Sequence, residues 1–231
     1  MKRIKAGPYR KKPEVKNEST FESAKEWATQ NTSMAIGFGV AVIAFAILIA
    51  GIVAYVHSSE AYARSKYLAI ATAIPTHSGD TAAWSKAIPE LRTFLSRHGY
   101  STSAQNARLE LARGFFETKN YTEAVKMGEE ALKNDHSGSG LKPVILYQLG
   151  FACEAAGKTE EAVKIWTELK NLRIPAMARE AEWNLGKLYQ EKKDFATAAL
   201  MFGLASQAEG DYPPTSQIEQ RLAAVKIAQK K

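Results

Sequence analysis

The sequence predicts an all-α chain: a single transmembrane helix, then an α-solenoid of stacked helical hairpins closed by a capping helix. Three observations carry that expectation. An unbroken apolar run extends from Met34 to Val56, a pattern of small residues recurs at steps of 38 and 36 residues from position 104 onward, and Asp211-Tyr-Pro-Pro interrupts the last copy ahead of one more helical stripe, Ile218, Leu222 and Val225.

The apolar run, MAIGFGVAVIAFAILIAGIVAYV, holds 23 residues without a charged side chain. As a helix it would be about 34 Å long, enough to cross a hydrocarbon core of about 30 Å with modest tilt. Residues 1–33 carry eight cations against four glutamates, whereas the near flank beyond the span offers only Arg64 and Lys66. The basic side is therefore expected to stay cytoplasmic. A cleaved signal peptide would have an apolar core of about 7–15 residues ending in an A-x-A-like site. This core is longer and HSSEAYA after it is a poor cleavage site, so an uncleaved anchor with an exported carboxyl domain is the reading.

Residues 1–18 combine charge, Gly7, Pro8 and Pro13 with little that is apolar, a composition that predicts a disordered cytoplasmic tail. A short interfacial helix is expected over 19–33. Ser19 and Glu22 have capping-box spacing, and Phe21, Ala24, Trp27 and Ala28 fall near one helical face. Trp27 and Tyr55 would sit at the two headgroup levels. Inside the span, Ala46, Ala50 and Ala54 recur every four residues, a spacing that lets another membrane helix approach closely, although such helices also occur unpaired.

The +7 net charge splits unevenly: residues 57–231 hold 23 cations and 20 carboxylates, interleaved. A nucleic-acid surface needs clustered cations, so none is expected. Cys153 is the only cysteine, which excludes an intrachain disulfide and a thiolate metal cluster. His57, His77, His98 and His136 lack ligand spacing. Neither metal nor cofactor is expected, and no small-molecule substrate is evident.

Along residues 57–231, a polar break at His57 to Ser59 is followed by the apolar face of a helix, Ala63, Tyr67, Ile70 and Ile74, ending before Pro75. After the loop PTHSGD, TAAWSKAIPELRTFLSRHG predicts a second helix with Trp84, Ala87, Ile88, Leu91 and Leu95 inward and a disturbance at Pro89. These two make an irregular first repeat, residues 60–99. Three clearer copies follow at about 104–136, 142–174 and 176–210, then a cap at 215–230. Leu111-Ala112, Leu149-Gly150 and Leu185-Gly186 correspond, as do Ala124, Ala162 and Ala198, and Ala87 lies 37 residues before Ala124.

These copies resemble the tetratricopeptide repeat, a helix-turn-helix unit with a Leu-Gly pair, an aromatic nearby and a small residue opening the second helix. Small residues sit where paired helices nearly touch, while Phe115, Tyr121, Trp166, Tyr189, Phe195 and Phe202 fill the gaps between layers. Cys153 and Thr159 depart from the aromatic pattern, and the steps exceed the usual 34 residues.

No catalytic constellation accompanies the repeats. G-x-S-x-G, a phosphate loop and H-E-x-x-H are missing, the carboxylate pairs Glu129-Glu130 and Glu160-Glu161 fall on solvated faces, and Asp135-His136-Ser137 has the character of a helix-ending turn. A non-enzyme is expected. In a tetratricopeptide array certain first-helix positions face a groove, and the resemblance places Leu109, Arg113, Phe116, Tyr147, Phe151, Trp183 and Lys187 among them. This aromatic set suits an extended, partly apolar chain and lacks the Lys and Asn pattern that grips a peptide carboxylate. Ordinary core packing is the competing assignment for the same aromatics.

The whole layout resembles the ancillary Sec translocon subunit family of bacterial inner-membrane proteins. FESAKEWATQN before the span, YLAIATAI after it and IPELRTFLSRHGYSTSAQNARLELA ahead of the first clear repeat carry the likeness. It implies a membrane-integrated periplasmic adaptor whose protein partners are translocon subunits, a periplasmic chaperone and emerging polypeptides. An envelope scaffold organising a cell-wall or outer-membrane assembly is the alternative.

Overall fold

The computed structural model describes residues 20–74, 79–135 and 140–230. Among them every regular element is an α-helix: α1 Thr20–Gln30, α2 Thr32–Ala71, α3 Thr81–His98, α4 Thr102–Glu117, α5 Tyr121–Lys133, α6 Lys142–Ala155, α7 Thr159–Asn171, α8 Pro175–Glu191, α9 Phe195–Gln207 and α10 Thr215–Ala228. The expected disordered tail, Ser19, Pro75, His77 and His136 lie outside the described residues.

The chain divides into two compact units at His57/Ser58. In the first, Trp27 of α1 meets Phe38 of α2 edge-on, with ring centroids 6.3 Å apart. All residues from 36 to 56, including Ala46, Ala50 and Ala54, are exposed. The polar break expected at His57 to Ser59 is not there: α2 continues helical to Ala71. No glycine or proline occurs between 57 and 71, and polar side chains alone do not interrupt a helical backbone. The helix also ends earlier than expected. Ala73 N–H and Ile74 N–H bond back to Ile70 and Ala71 carbonyls in a tightened terminal turn.

In the second unit, α3 to α10 each pack on the next helix in sequence, with α4 also meeting α6 and α6 meeting α8. The last turns of α2 join through Tyr67, 5.9 Å from Phe94 of α3, and through Glu60, which accepts hydrogen bonds from the Thr102 amide and hydroxyl at 3.0 and 2.6 Å. Within α3, Pro89 is accommodated without ending the helix, and Phe94 is buried while Leu95 is only half-buried.

Three hairpins, α4–α5, α6–α7 and α8–α9, share one turn chemistry. Lys119, Gly157 and Lys193 take left-handed backbone conformations with φ of 61°, 71° and 61°. The next amide in each case, Asn120, Lys158 and Asp194, reaches back five residues to the Phe115, Cys153 and Tyr189 carbonyls. This is a Schellman ending, which satisfies helix-terminal carbonyls while reversing the chain. Asn120 and Asp194 then cap the next helix, their side chains accepting from the Glu123 and Thr197 amides.

Small residues on first helices receive aromatic rings from second helices. A Cβ added at Gly150 would lie 2.6 Å from the Trp166 indole, and one at Gly186 the same distance from the Phe202 ring. At the far end α10 covers α9, with Ile218 and Val225 fully buried. Arg179 of α8 is buried there and donates to the Ala205, Ala208 and Pro213 carbonyls and the Thr215 hydroxyl, so its charge faces the carboxyl end of α9.

Gly150→Leu is expected to cost about 1–3 kcal/mol or more, since the added atoms overlap a boxed-in indole. Glu161→Leu, losing only a partly exposed pair with Lys158, is expected to stay within about 1 kcal/mol. Chemical denaturation of both variants measures the difference, and equal losses would refute the register.

Candidate protein-binding face

The first helices α4, α6 and α8 carry the seven residues expected to line a groove, and the structure divides them into packing and accessible sets. Leu109 is 7% exposed and lies in a small cluster with Ala131 and Ile145. Trp183, also 7% exposed, sits 5.3 Å from the Phe202 ring, in the cluster that α10 covers. Arg113, Phe116, Tyr147, Phe151 and Lys187 are half-buried.

Four of these five border one cavity. Arg113 and Phe116 of α4 and Tyr147 and Phe151 of α6 line it, with Ala124 and Gly128 of α5 at its base. Its volume is about 220 Å³ and its walls are almost wholly apolar. Lys187 lies apart, 3.4 Å from Glu154.

Polar side chains tie successive first helices together beside the cavity. Tyr147 donates its hydroxyl to Glu180 at 2.6 Å, while Glu154 accepts from the Trp166 indole N–H at 2.6 Å and pairs with Lys187. Burial and the Glu180 carboxylate push the Tyr147 hydroxyl well above the ordinary phenol range. Burial likewise raises the Cys153 thiol to about 11. Glu110 is raised by burial against the weaker opposing effect of Arg113, 3.6 Å away. These shifts have structural causes and assemble no acid–base pair around the cavity.

Two features escaped the reading of the sequence. Buried Arg179 has no local signal in the sequence, because its acceptors lie 26 to 36 residues away, three backbone carbonyls and the Thr215 hydroxyl. The cavity has a signal in the repeat register: Leu91, Gly128, Trp166 and Phe202 follow one another at steps of 37, 38 and 36 residues. The glycine among three bulky residues lets Leu149 of α6 come within 2.9 Å of where a Cβ would stand and leaves the cavity beside it.

Helical hairpins stacked in sequence, joined by equivalent turns and closed by α10, define a tetratricopeptide-repeat-like α-solenoid. No family model matches the chain, and no curated protein matches it. Among solved structures the chain is similar to MamA from Desulfovibrio magneticus RS-1, with 12% identity over 74% of this chain and 86% of that one and a TM-score of 0.56. MamA of MSR-1 gives 16% identity, 74% and 87% coverage and a TM-score of 0.52. A putative kinesin light chain of Podosopora anserina with TPR-like repeats gives 16% identity, 76% and 87% coverage and a TM-score of 0.53. At these identities the likeness is one of fold.

Trp183→Ala is expected to cost about 3–5 kcal/mol and Leu109→Ala about 2–5 kcal/mol, as core truncations do, while Lys187→Ala changes stability little. Thermal unfolding of the three variants tests this; a Trp183→Ala protein as stable as wild type would return that side chain to the accessible face. Glu110 gives a pH-dependent counterpart. Its folded-state value is raised, so the wild-type fold loses stability as pH climbs from the unfolded value of about 4.3 through the higher folded one. Glu110→Gln lacks this titration. Its stability relative to wild type should therefore improve between pH 4 and pH 7.5, and a pH-independent difference would contradict the assignment.

Proposed function

We propose that this protein is a non-catalytic membrane adaptor that binds other proteins through the α4–α6–α8 face. The apolar cavity beside Phe116, Tyr147 and Phe151 carries this reading, because a solvated structural helix face has no need of a void of that kind. The exposed apolar stretch from Met34 to Val56 supports anchoring in a membrane. The excess of cations in residues 1–33 supports a cytoplasmic amino terminus and a periplasmic repeat domain in the bacterial inner membrane. Resemblance to the ancillary Sec translocon subunit supports a place beside the translocon, with a periplasmic chaperone and emerging polypeptides as partners. Ala46, Ala50 and Ala54, all on the exposed span, are the proposed contact for a second membrane helix.

Topology and partners are tested together in intact cells. Alkaline phosphatase fused after Lys231 is expected to be active, and activity restricted to fusions in the amino-terminal tail would reverse the orientation. A photoreactive phenylalanine at position 116 or 151 is expected to crosslink translocon, chaperone or nascent chains identified by mass spectrometry, whereas one at exposed Glu160 is not. Crosslinks to cell-wall or outer-membrane assembly proteins would assign the envelope scaffold instead. A lack of crosslinked partners at both groove positions would defeat the adaptor reading.

A further inference from the structure

The cavity between α4, α5 and α6 occupies the place that an aromatic ring fills in the two hairpins that follow. In the α6–α7 hairpin, Trp166 projects from the second helix onto the first. It is fully buried, a Cβ at Gly150 would lie 2.6 Å from its indole, and Tyr147 and Phe151 meet it edge-on at 5.9 and 5.0 Å. In the α8–α9 hairpin Phe202 does the same against Gly186 and Trp183. Subtracting 38 residues from Gly150, Phe151, Glu154 and Trp166 gives Ala112, Arg113, Phe116 and Gly128. All four line the cavity. Where the next two hairpins place a ring, this one has a glycine hydrogen, with Leu149 of α6 close beside it.

The opposite wall is supplied by α6, whose Tyr147 and Phe151 line this cavity as well as contacting Trp166. The void of about 220 Å³ is larger than an engineered apolar cavity of about 150 Å³ that binds benzene. Its half-buried rim residues, Arg113, Phe116, Tyr147, Gln148 and Phe151, give it access from the first-helix face.

We propose that this cavity is a specificity pocket for a single aromatic side chain, Trp or Phe, of a bound polypeptide. The partner's ring completes the interlock that Trp166 and Phe202 complete from within the chain. The inference rests on the adaptor reading and deepens it, naming the residue class recognised and the place where it docks. It also makes Gly128 a selectivity residue, since its missing side chain keeps the site open and a Cβ there would already crowd Leu149.

The test uses the full-length protein in lipid nanodiscs and two fluorescein-labelled 12-residue peptides of Gly, Ser and Asn, identical except for a central Trp or Ala. Fluorescence anisotropy should show the Trp peptide binding at least ten-fold more tightly. Gly128→Phe should erase that difference, at some loss of melting temperature, because a Cβ at this position would lie 2.9 Å from Leu149 Cδ1. Because this variant could fold poorly, a third peptide carrying a diazirine-phenylalanine at the centre is irradiated with the wild-type protein. Label should map to Ala112, Phe116, Gly128 or Ala152. Equal binding of the Trp and Ala peptides, binding by neither, or label placed elsewhere would overturn the pocket. Concentration-dependent self-association abolished by Gly128→Phe would assign the pocket to a second copy of this chain and overturn it as well. The adaptor reading stands or falls separately, on the in-cell crosslinks from positions 116 and 151.

Discussion

The repeat domain depends on one steric relation, the meeting of a small residue on the first helix of a hairpin with a large ring on the second. Gly150 against Trp166 and Gly186 against Phe202 bring backbone and ring within van der Waals reach, which is the close packing that protein interiors require. A ring held this way also reaches neighbouring first-helix aromatics, as Trp166 does with Tyr147 and Phe151. The helix spacing, the inter-repeat contacts and the position of the cavity follow from where such rings are present and where one is missing.

Chain reversal and termination complement that relation. Left-handed residues at 119, 157 and 193 end each first helix at the same point relative to its small residue, so the second helix starts in register with the ring it must deliver. Lysine occupies two of these three positions, at a local cost of roughly 1–2 kcal/mol relative to the right-handed region, and the surrounding packing offsets it. After α9 the described chain continues as α10. Arg179 gathers the free carbonyls of Ala205, Ala208 and Pro213, and α10 lays Ile218 and Val225 over the last core cluster. A buried guanidinium with five short donor contacts is costly to desolvate but leaves few orphaned acceptors.

The functional picture has the same origin. On the proposed adaptor reading, the binding face has to keep apolar surface available without collapsing onto itself. Here the hydroxyl of Tyr147 at the rim is held by Glu180, Lys187 pairs with Glu154 farther along, and the cavity lining stays apolar. The perturbed ionisations of Tyr147, Glu110 and Cys153 belong to this packing. They do not converge on a reacting atom.

The sequence by itself determined the helical class, the apolar span, the number of hairpins and their register, because these depend on composition and on residue spacing along the chain. The Leu-Gly pairs and the alanines at 124, 162 and 198 were legible without coordinates, since close helix contact tolerates few side chains. Which groove aromatics are packing and which are accessible was decided only by tertiary structure. Tyr147 and Trp183 hold equivalent repeat positions, yet Trp183 is buried in the cluster under α10 and Tyr147 borders an open cavity. The difference lies in what the next elements place against them. Continuity of α2 through His57 to Ser59 and the burial of Arg179 were likewise invisible locally, since one requires the absence of any competing turn and the other acceptors that only the folded chain brings together.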